Sequence, residues 1–205
     1  MTHALILLTD GALFGALAYL GTMFARIVLA GAQSFDDGPA PATPRVAAIV
    51  AVAALAGIIT GARTAPLPEL GMACLLAVAL AAVCYADIRW GLVPDVFTLA
   101  PLGAVLAGDV LLHSWAGPIA ALLVAAPFAL AALMSRGRGM GWGDVKLVAL
   151  GAATIGAAPA LIGFAGASFA AVAVAVVRGR RHAPIAFAPY LVAAIGTIAA
   201  VHGVA

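Results

Sequence analysis

Asp87, Asp95 and Asp144 lie in "CYADIRWGLVPD" and "GMGWGDVKL", each where an apolar run meets a short polar or glycine-rich segment. Ionisable groups at the edge of a membrane helix are costly, and they tend to line cavities or pair with one another. A pair of aspartates hydrolyses an amide without a cofactor. One carboxylate takes a proton from water and the other protonates the carbonyl oxygen or the leaving amine. Two carboxylates held close cannot both ionise easily, so one keeps its proton. Two plainer readings stand beside this one. Asp144, just ahead of "VKLVALGAA", suits a helix N-cap. Asp87 is two residues from Arg89 and is placed to pair with it or with another cation.

Whether these acids meet depends on the elements that carry them. The chain has 205 residues, 65% hydrophobic and 9% charged, with mean hydropathy +1.18. A soluble domain carries roughly a quarter charged residues, so this chain reads as an integral membrane protein. Barrel strands would alternate apolar and polar residues. The continuous Ala/Leu/Val runs instead predict an all-α, polytopic helical bundle of about eight crossings, forming a single membrane domain over 1–205. The expected spans are 4–30, 46–62, 67–88, 95–113, 115–134, 144–157, 159–177 and 184–204. The break before the seventh is placed in "IGAAPA", with Pro159 in the first turn of a new helix. The sixth span then has about fourteen residues, or roughly 21 Å, so one end is expected within the membrane or in a thinned, wet region.

Eight crossings put Arg26, Arg45, Arg89, Arg136, Arg138, Lys146, Arg178, Arg180 and Arg181 on one side and only Arg63 on the other. The positive-inside rule makes the first side cytoplasmic and both termini external. Asp87, Asp95 and Asp144 then share the cytoplasmic layer. Asp36, Asp37 and Glu69 read as solvated. Asp10 and Asp109 read as structural residues near the outer ends of their spans, with His113 at i+4 from Asp109 for a local contact. Cys74 and Cys84, ten positions apart in one apolar run, cannot readily bridge, and without a Cys-x-x-Cys pair no metal site is expected. "GALFG" and "GIITG" space small residues four apart for close helix packing. The N-terminal apolar run is too long for a secretory signal and reads as a retained span.

The blocks "ADIRWGLVPDVFTLAPL" and, with its aspartate 57 positions later, "GMGWGDVKLVALGA" resemble those of the type IV prepilin peptidases, membrane aspartyl proteases of the Gly-x-Gly-Asp class. A third block, "APIAFAPYLVAAIG", is similar to that family's Pro-Phe-Gly-Pro-Tyr/Phe-Leu segment, with Ala186 and Ala188 as departures. The resemblance covers about 67–200 and keeps the order of the blocks. It implies that Asp87 and Asp144 are the catalytic pair. Gly141, Gly143, Lys146, Arg89, Asp95 and Pro94 would be binding or supporting residues. The implied reaction cuts a basic leader from a prepilin or pseudopilin after a glycine, at the cytoplasmic face of a bacterial inner membrane.

Gly139, Gly141 and Gly143 would admit a close-lying extended substrate. Asp144 opens the sixth helix, where the dipole favours an anion, while Asp87 ends the third, where it does not. Asp144 is thus the expected base and Asp87 the expected acid, titrating as a coupled unit. Lys146 and Arg89 would tune the pair, hold lipid headgroups or serve as positive-inside anchors. Asp95 would cap a helix or support the pair.

Bifunctional members of the family carry a large insert between spans one and two, usually with a four-cysteine zinc site, and also N-methylate the product. Here that place holds only the cysteine-free loop 31–45. A peptidase without methyltransferase activity and without cofactors is expected, closer to the short members serving tight-adherence pili or secretion pseudopilins. Its partners would be the substrate and the lipid bilayer; nothing points to nucleic acid, and a homodimer is compatible with the sequence. Two other classes remain open: a proton- or cation-coupled transporter using the same acids, although no paired half-helices are evident, and a non-catalytic membrane scaffold.

Overall fold

A computed structural model describes residues 2–30, 46–63, 66–135, 140–179 and 186–204. Among these the chain is all-helical and has no strand. Eight α-helices follow in order: α1 Thr2–Ala30, α2 Val46–Ala62, α3 Leu67–Trp90, α4 Leu99–Leu111, α5 Ala116–Met134, α6 Trp142–Ile155, α7 Ala157–Val177 and α8 Ala188–His202. A 3-10 turn, Asp95–Phe97, precedes α4. The expected loop 31–45, Gly139, and Arg45, Arg136, Arg138, Arg180 and Arg181 lie outside the described residues.

Among the described residues four helices are long and apolar enough to cross a membrane: Ala4–Ala30, Leu67–Trp90, Ala116–Met134 and Ala157–Val177. The helices α2, α4, α6 and α8 run only 17, 13, 14 and 15 residues. At 1.5 Å per residue even the longest is about 26 Å, short of a ~30 Å hydrocarbon core. The architecture is that of a multi-pass membrane protein in which full-length and short helices are mixed.

Local chemistry explains where the helices stop. Gly91 ends α3 in the left-handed region (φ 64°, ψ 26°), and its N–H donates to the carbonyl of Asp87. The break between α6 and α7 falls at Gly156, with φ 83°, inside the expected "IGAAPA", and Pro159 is the third residue of α7, in its first turn as expected. The positive φ that glycine alone adopts cheaply turns the chain there. α6 keeps the expected fourteen residues.

The two acid-bearing helices are also the core. α6 buries Leu147, Val148, Leu150, Ala152 and Ala153, while α3 buries Leu76, Leu80, Ala82, Val83 and Tyr85. "VKLVALGAATI" is apolar nearly all round, as a helix wrapped on every side must be. The "GALFG" and "GIITG" stripes pack against each other in an antiparallel α1–α2 pair. A methyl on Gly11 would come within 2.7 Å of Ile58, and one on Gly57 within 2.8 Å of Phe14. Larger residues would hold the two backbones apart.

Candidate active site

Asp87 sits in the last turn of α3 and is 7% exposed. Its Oδ2 accepts a hydrogen bond of 3.1 Å from the backbone N–H of Ala188, the first residue of α8. The carboxylate thus lies at a helix N-terminus, where unpaired N–H groups and the dipole favour negative charge. This corrects the expected contrast between the two aspartates. Asp87 does end one helix, but it also stands at the start of another, so the dipole does not single out Asp144 as the base. The expected alternative, an Asp87–Arg89 pair, does not form. The Arg89 guanidinium instead lies over the Trp90 ring, 5.3 Å from its centroid.

Asp144 is the third residue of α6, and the N-cap is Gly141, in extended backbone (φ −74°, ψ 147°). The N-cap role expected for Asp144 is therefore displaced by three residues. From the third position its carboxylate turns back towards Gly141, with Oδ2 3.5 Å from where a methyl on that residue would lie, the direction acidic side chains take in a capping box. Gly143 has a different purpose. A methyl there would meet Cβ of Val93 at 2.5 Å, so glycine lets the first turn of α6 close onto the segment after α3. At Gly141 an added methyl would find only the Asp144 carboxylate, at an ordinary 3.5 Å.

These local devices bring the ends of α3, α6 and α8 together and leave Asp87 within electrostatic reach of Asp144. Asp95 is held differently. It follows Pro94, the residue that opens the 3-10 turn, and its side chain makes no cap. It pairs with Lys146 Nζ at 2.5 Å across to α6, with side chains 60% and 28% exposed respectively. Asp95 therefore supports the assembly through Lys146 and not as a helix cap. Among the described residues, neither Asp87 nor Asp144 is paired with a cation. The Asp87 carboxylate is fixed by the Ala188 N–H and keeps an oxygen that this donor does not use. Two carboxylates within electrostatic reach of each other can divide the roles of general acid and general base.

Sequence reasoning missed the Ala188 N–H, because a backbone donor has no letter of its own. The available signal was Pro189 in the first turn of α8, which marks a helix start beside the third block. It also missed the layer behind the site: Arg26 Nε donates to Tyr85 Oη at 2.9 Å, and Tyr85 packs edge-on against Trp90 at 5.7 Å.

Other acids fall into place away from this end. Glu69, expected to be solvated, is paired with Arg63 at 3.0 Å. Asp10 lies against Gly61, and Asp109 against Gly117, the latter with Oδ2 buried and without a hydrogen-bond partner. The expected Asp109–His113 contact does not form. α4 ends at Leu111 and His113 turns into the left-handed region with φ 55°, so the i, i+4 relation is lost.

The family model of the type IV leader peptidases matches residues 74–176, half of the chain. It includes Asp87, Asp95 and Asp144 and ends before α8. No curated protein and no solved structure shows significant similarity to the chain.

Proposed function

The chain belongs to the type IV leader peptidase family, and from that premise we propose that it is an aspartic endopeptidase working through Asp87 and Asp144. Its substrate is a type IV prepilin or pseudopilin, cut between a basic leader and an apolar helix at the cytoplasmic face of a bacterial inner membrane. The observation that supports this reading is that the ends of α3 and α6 leave the two acids within electrostatic reach of each other. They lie 57 positions apart in the sequence, Asp87 is fixed by the backbone N–H of Ala188, and neither has a cation among the described residues to neutralise it.

In the proposed reaction one carboxylate takes a proton from water as its oxygen attacks the carbonyl carbon of the scissile peptide. The other, protonated, gives its proton to the carbonyl oxygen. In the second half the carboxyl that took the water proton passes it to the leaving nitrogen, the C–N bond breaks, and the other carboxylate takes a proton back from a hydroxyl of the diol as its carbonyl re-forms, so the pair returns to its starting state with one proton. Lys146 and Asp95 tie the first turn of α6 to the 3-10 turn and so keep Asp144 facing Asp87. The eight crossings with both termini external, and the absence of methyl transfer, belong to the same proposal. The nine-to-one distribution of the ten basic residues supports the orientation, and the short 31–45 connection supports a single activity.

The test is co-expression with a prepilin from the same organism. The native chain is expected to shift the prepilin, with mass spectrometry placing the cut after the leader glycine and an unmethylated new N-terminus. Asp144→Asn is expected to leave it uncut. A native chain that is folded in the membrane yet shifts no prepilin, but carries a proton or cation flux lost in Asp144→Asn, would replace this reading with a transporter.

A further inference from the structure

An apolar groove runs between α2, α3 and α8 and encloses about 450 Å³. Its floor is α3. Ala73, Leu76, Leu80, Cys84 and Ile88 line it, spaced three or four apart and therefore on one helix face. Asp87 is three positions beyond Cys84 and seven beyond Leu80, so the same stripe ends at the candidate catalytic acid. The walls reach the same end: Pro189 of α8 lines the groove and follows the residue whose N–H holds Asp87. The groove is open to the outside along α2, where Val52 is 63% exposed.

Resting on the peptidase reading above, we infer that this groove seats the apolar helix of the substrate, the part that follows the scissile bond. Three observations select that occupant. The floor from Ala73 to Ile88 is about 22 Å long at 1.5 Å per residue, the length of a helix of some fifteen residues. The lining is rich in alanine, with Gly196 on the α8 wall, which allows a second helix to approach closely. The floor ends at Ile88 and the wall at Pro189, next in the chain to Asp87 and to the Ala188 whose N–H holds it, so a helix lying in the groove brings the peptide just ahead of its first turn towards Asp87. The substrate enters sideways from the bilayer, between α2 and α8, and its basic leader stays at the polar end.

Cys84 reports on this floor from inside, and the chain's other thiol, Cys74, is not part of the lining. The experiment uses the full chain in proteoliposomes with Cys74→Ser and Asp144→Asn, so that Cys84 is the single thiol and the prepilin stays uncut. Single cysteines are placed along the prepilin's apolar segment and joined to Cys84 with a short bis-maleimide. Crosslinks are expected at positions spaced three or four apart on one face of that segment. A separate variant, Gly196→Leu, fills open space with no atom within 4 Å and is expected to raise KM for full-length prepilin about tenfold. Gly166→Leu, equally uncrowded on α7, leaves KM unchanged.

If the Cys74→Ser chain with native Asp144 cuts the prepilin while Cys84 gives no crosslinks, or gives them on all faces, the groove assignment fails and the peptidase stands. Cys84 protected equally by phospholipid alone would likewise overturn it, making the groove a lipid site. If that chain does not cut any prepilin, the reading beneath the proposal falls, and the proposal with it.

Discussion

The two ends of the bundle treat their acids in opposite ways. Where α2 passes to α3, Glu69 is met by the Arg63 guanidinium at 3.0 Å, and Arg63 also donates to the carbonyls of Ala199 and Ala200 at the end of α8. One cation there closes a carboxylate and the C-terminus of a helix together. At the other end, Asp87 is met by the backbone N–H of Ala188, and among the described residues neither it nor Asp144 is met by a cation. The cations nearest them in sequence are used elsewhere, Lys146 on Asp95 and Arg89 on Trp90. A close opposite charge favours the ionised form of a carboxylate, which suits a structural clasp and hinders an acid that must also hold and release a proton. The difference separates an acid that secures the fold from a pair kept available for proton transfer.

The contrast breaks most sharply at the pair itself. Asp87→Asn and Asp144→Asn are expected each to cut prepilin cleavage by about 10²–10⁴-fold, the usual reach of a positioned acid or base. Membrane insertion and thermal stability in detergent should stay near those of the native chain. A normally cleaving Asp144→Asn chain would return both acids to the structural class. The next effect is at Gly143. Its alanine variant forces a methyl against Val93 and is expected to cost about 1–3 kcal/mol of overpacking, displacing Asp144 and lowering the cleavage rate. Gly141→Ala, with only an ordinary contact to meet, should be close to native. Val93→Ala in the Gly143→Ala background should recover part of the loss, and strictly additive effects in that cycle would show that the two sites are not in contact.

At the opposite end the expected loss is in stability alone. Arg63→Leu strands a half-buried Glu69 and uncaps α8, and should cost about 1–3 kcal/mol, between the values for exposed and fully buried pairs. It should leave the cleavage rate per folded molecule unchanged. A loss of rate with unchanged stability would join the two ends functionally and dissolve the contrast.

Much of this was readable from residue types. Continuous apolar runs separated by glycine and proline mark the helices to within a few residues, and the paired "GALFG" and "GIITG" stripes do meet. The acids at the ends of α3 and α6 stood out because charge in such a chain is rare. What could not be read depends on contacts distant in sequence or carried by the backbone. Arg63 reaches Ala199 and Ala200 across more than 130 positions, so nothing local to Glu69 announced its partner. The Ala188 N–H is invisible in an alanine. The Asp109–His113 spacing looked helical because the eye extends a helix past its end, and the left-handed turn at His113 occurs in a residue that does not advertise it.

The smallest expected effect concerns the Lys146–Asp95 pair, and it tests the boundary between the two kinds of acid. With the Asp95 side chain 60% exposed and Lys146 28% exposed, the pair is worth well under 1 kcal/mol by the standard of exposed ion pairs. Lys146→Met and Asp95→Asn are each expected to shift stability within that range, with a double-mutant coupling energy of a few tenths of a kcal/mol. If the pair only ties α6 to the 3-10 turn, either variant slows cleavage by the same small factor, and the double variant is no worse than the singles. If Lys146 instead leaves Asp95 to act on the carboxylate pair during turnover, Lys146→Met changes the pH profile of cleavage and Asp95→Asn does not. The measurement is therefore the rate against pH for both single variants. Matching profiles keep Lys146 as a clasp, like Arg63 at the far end. Diverging profiles place a cation in the proton traffic of Asp87 and Asp144, against the separation drawn above.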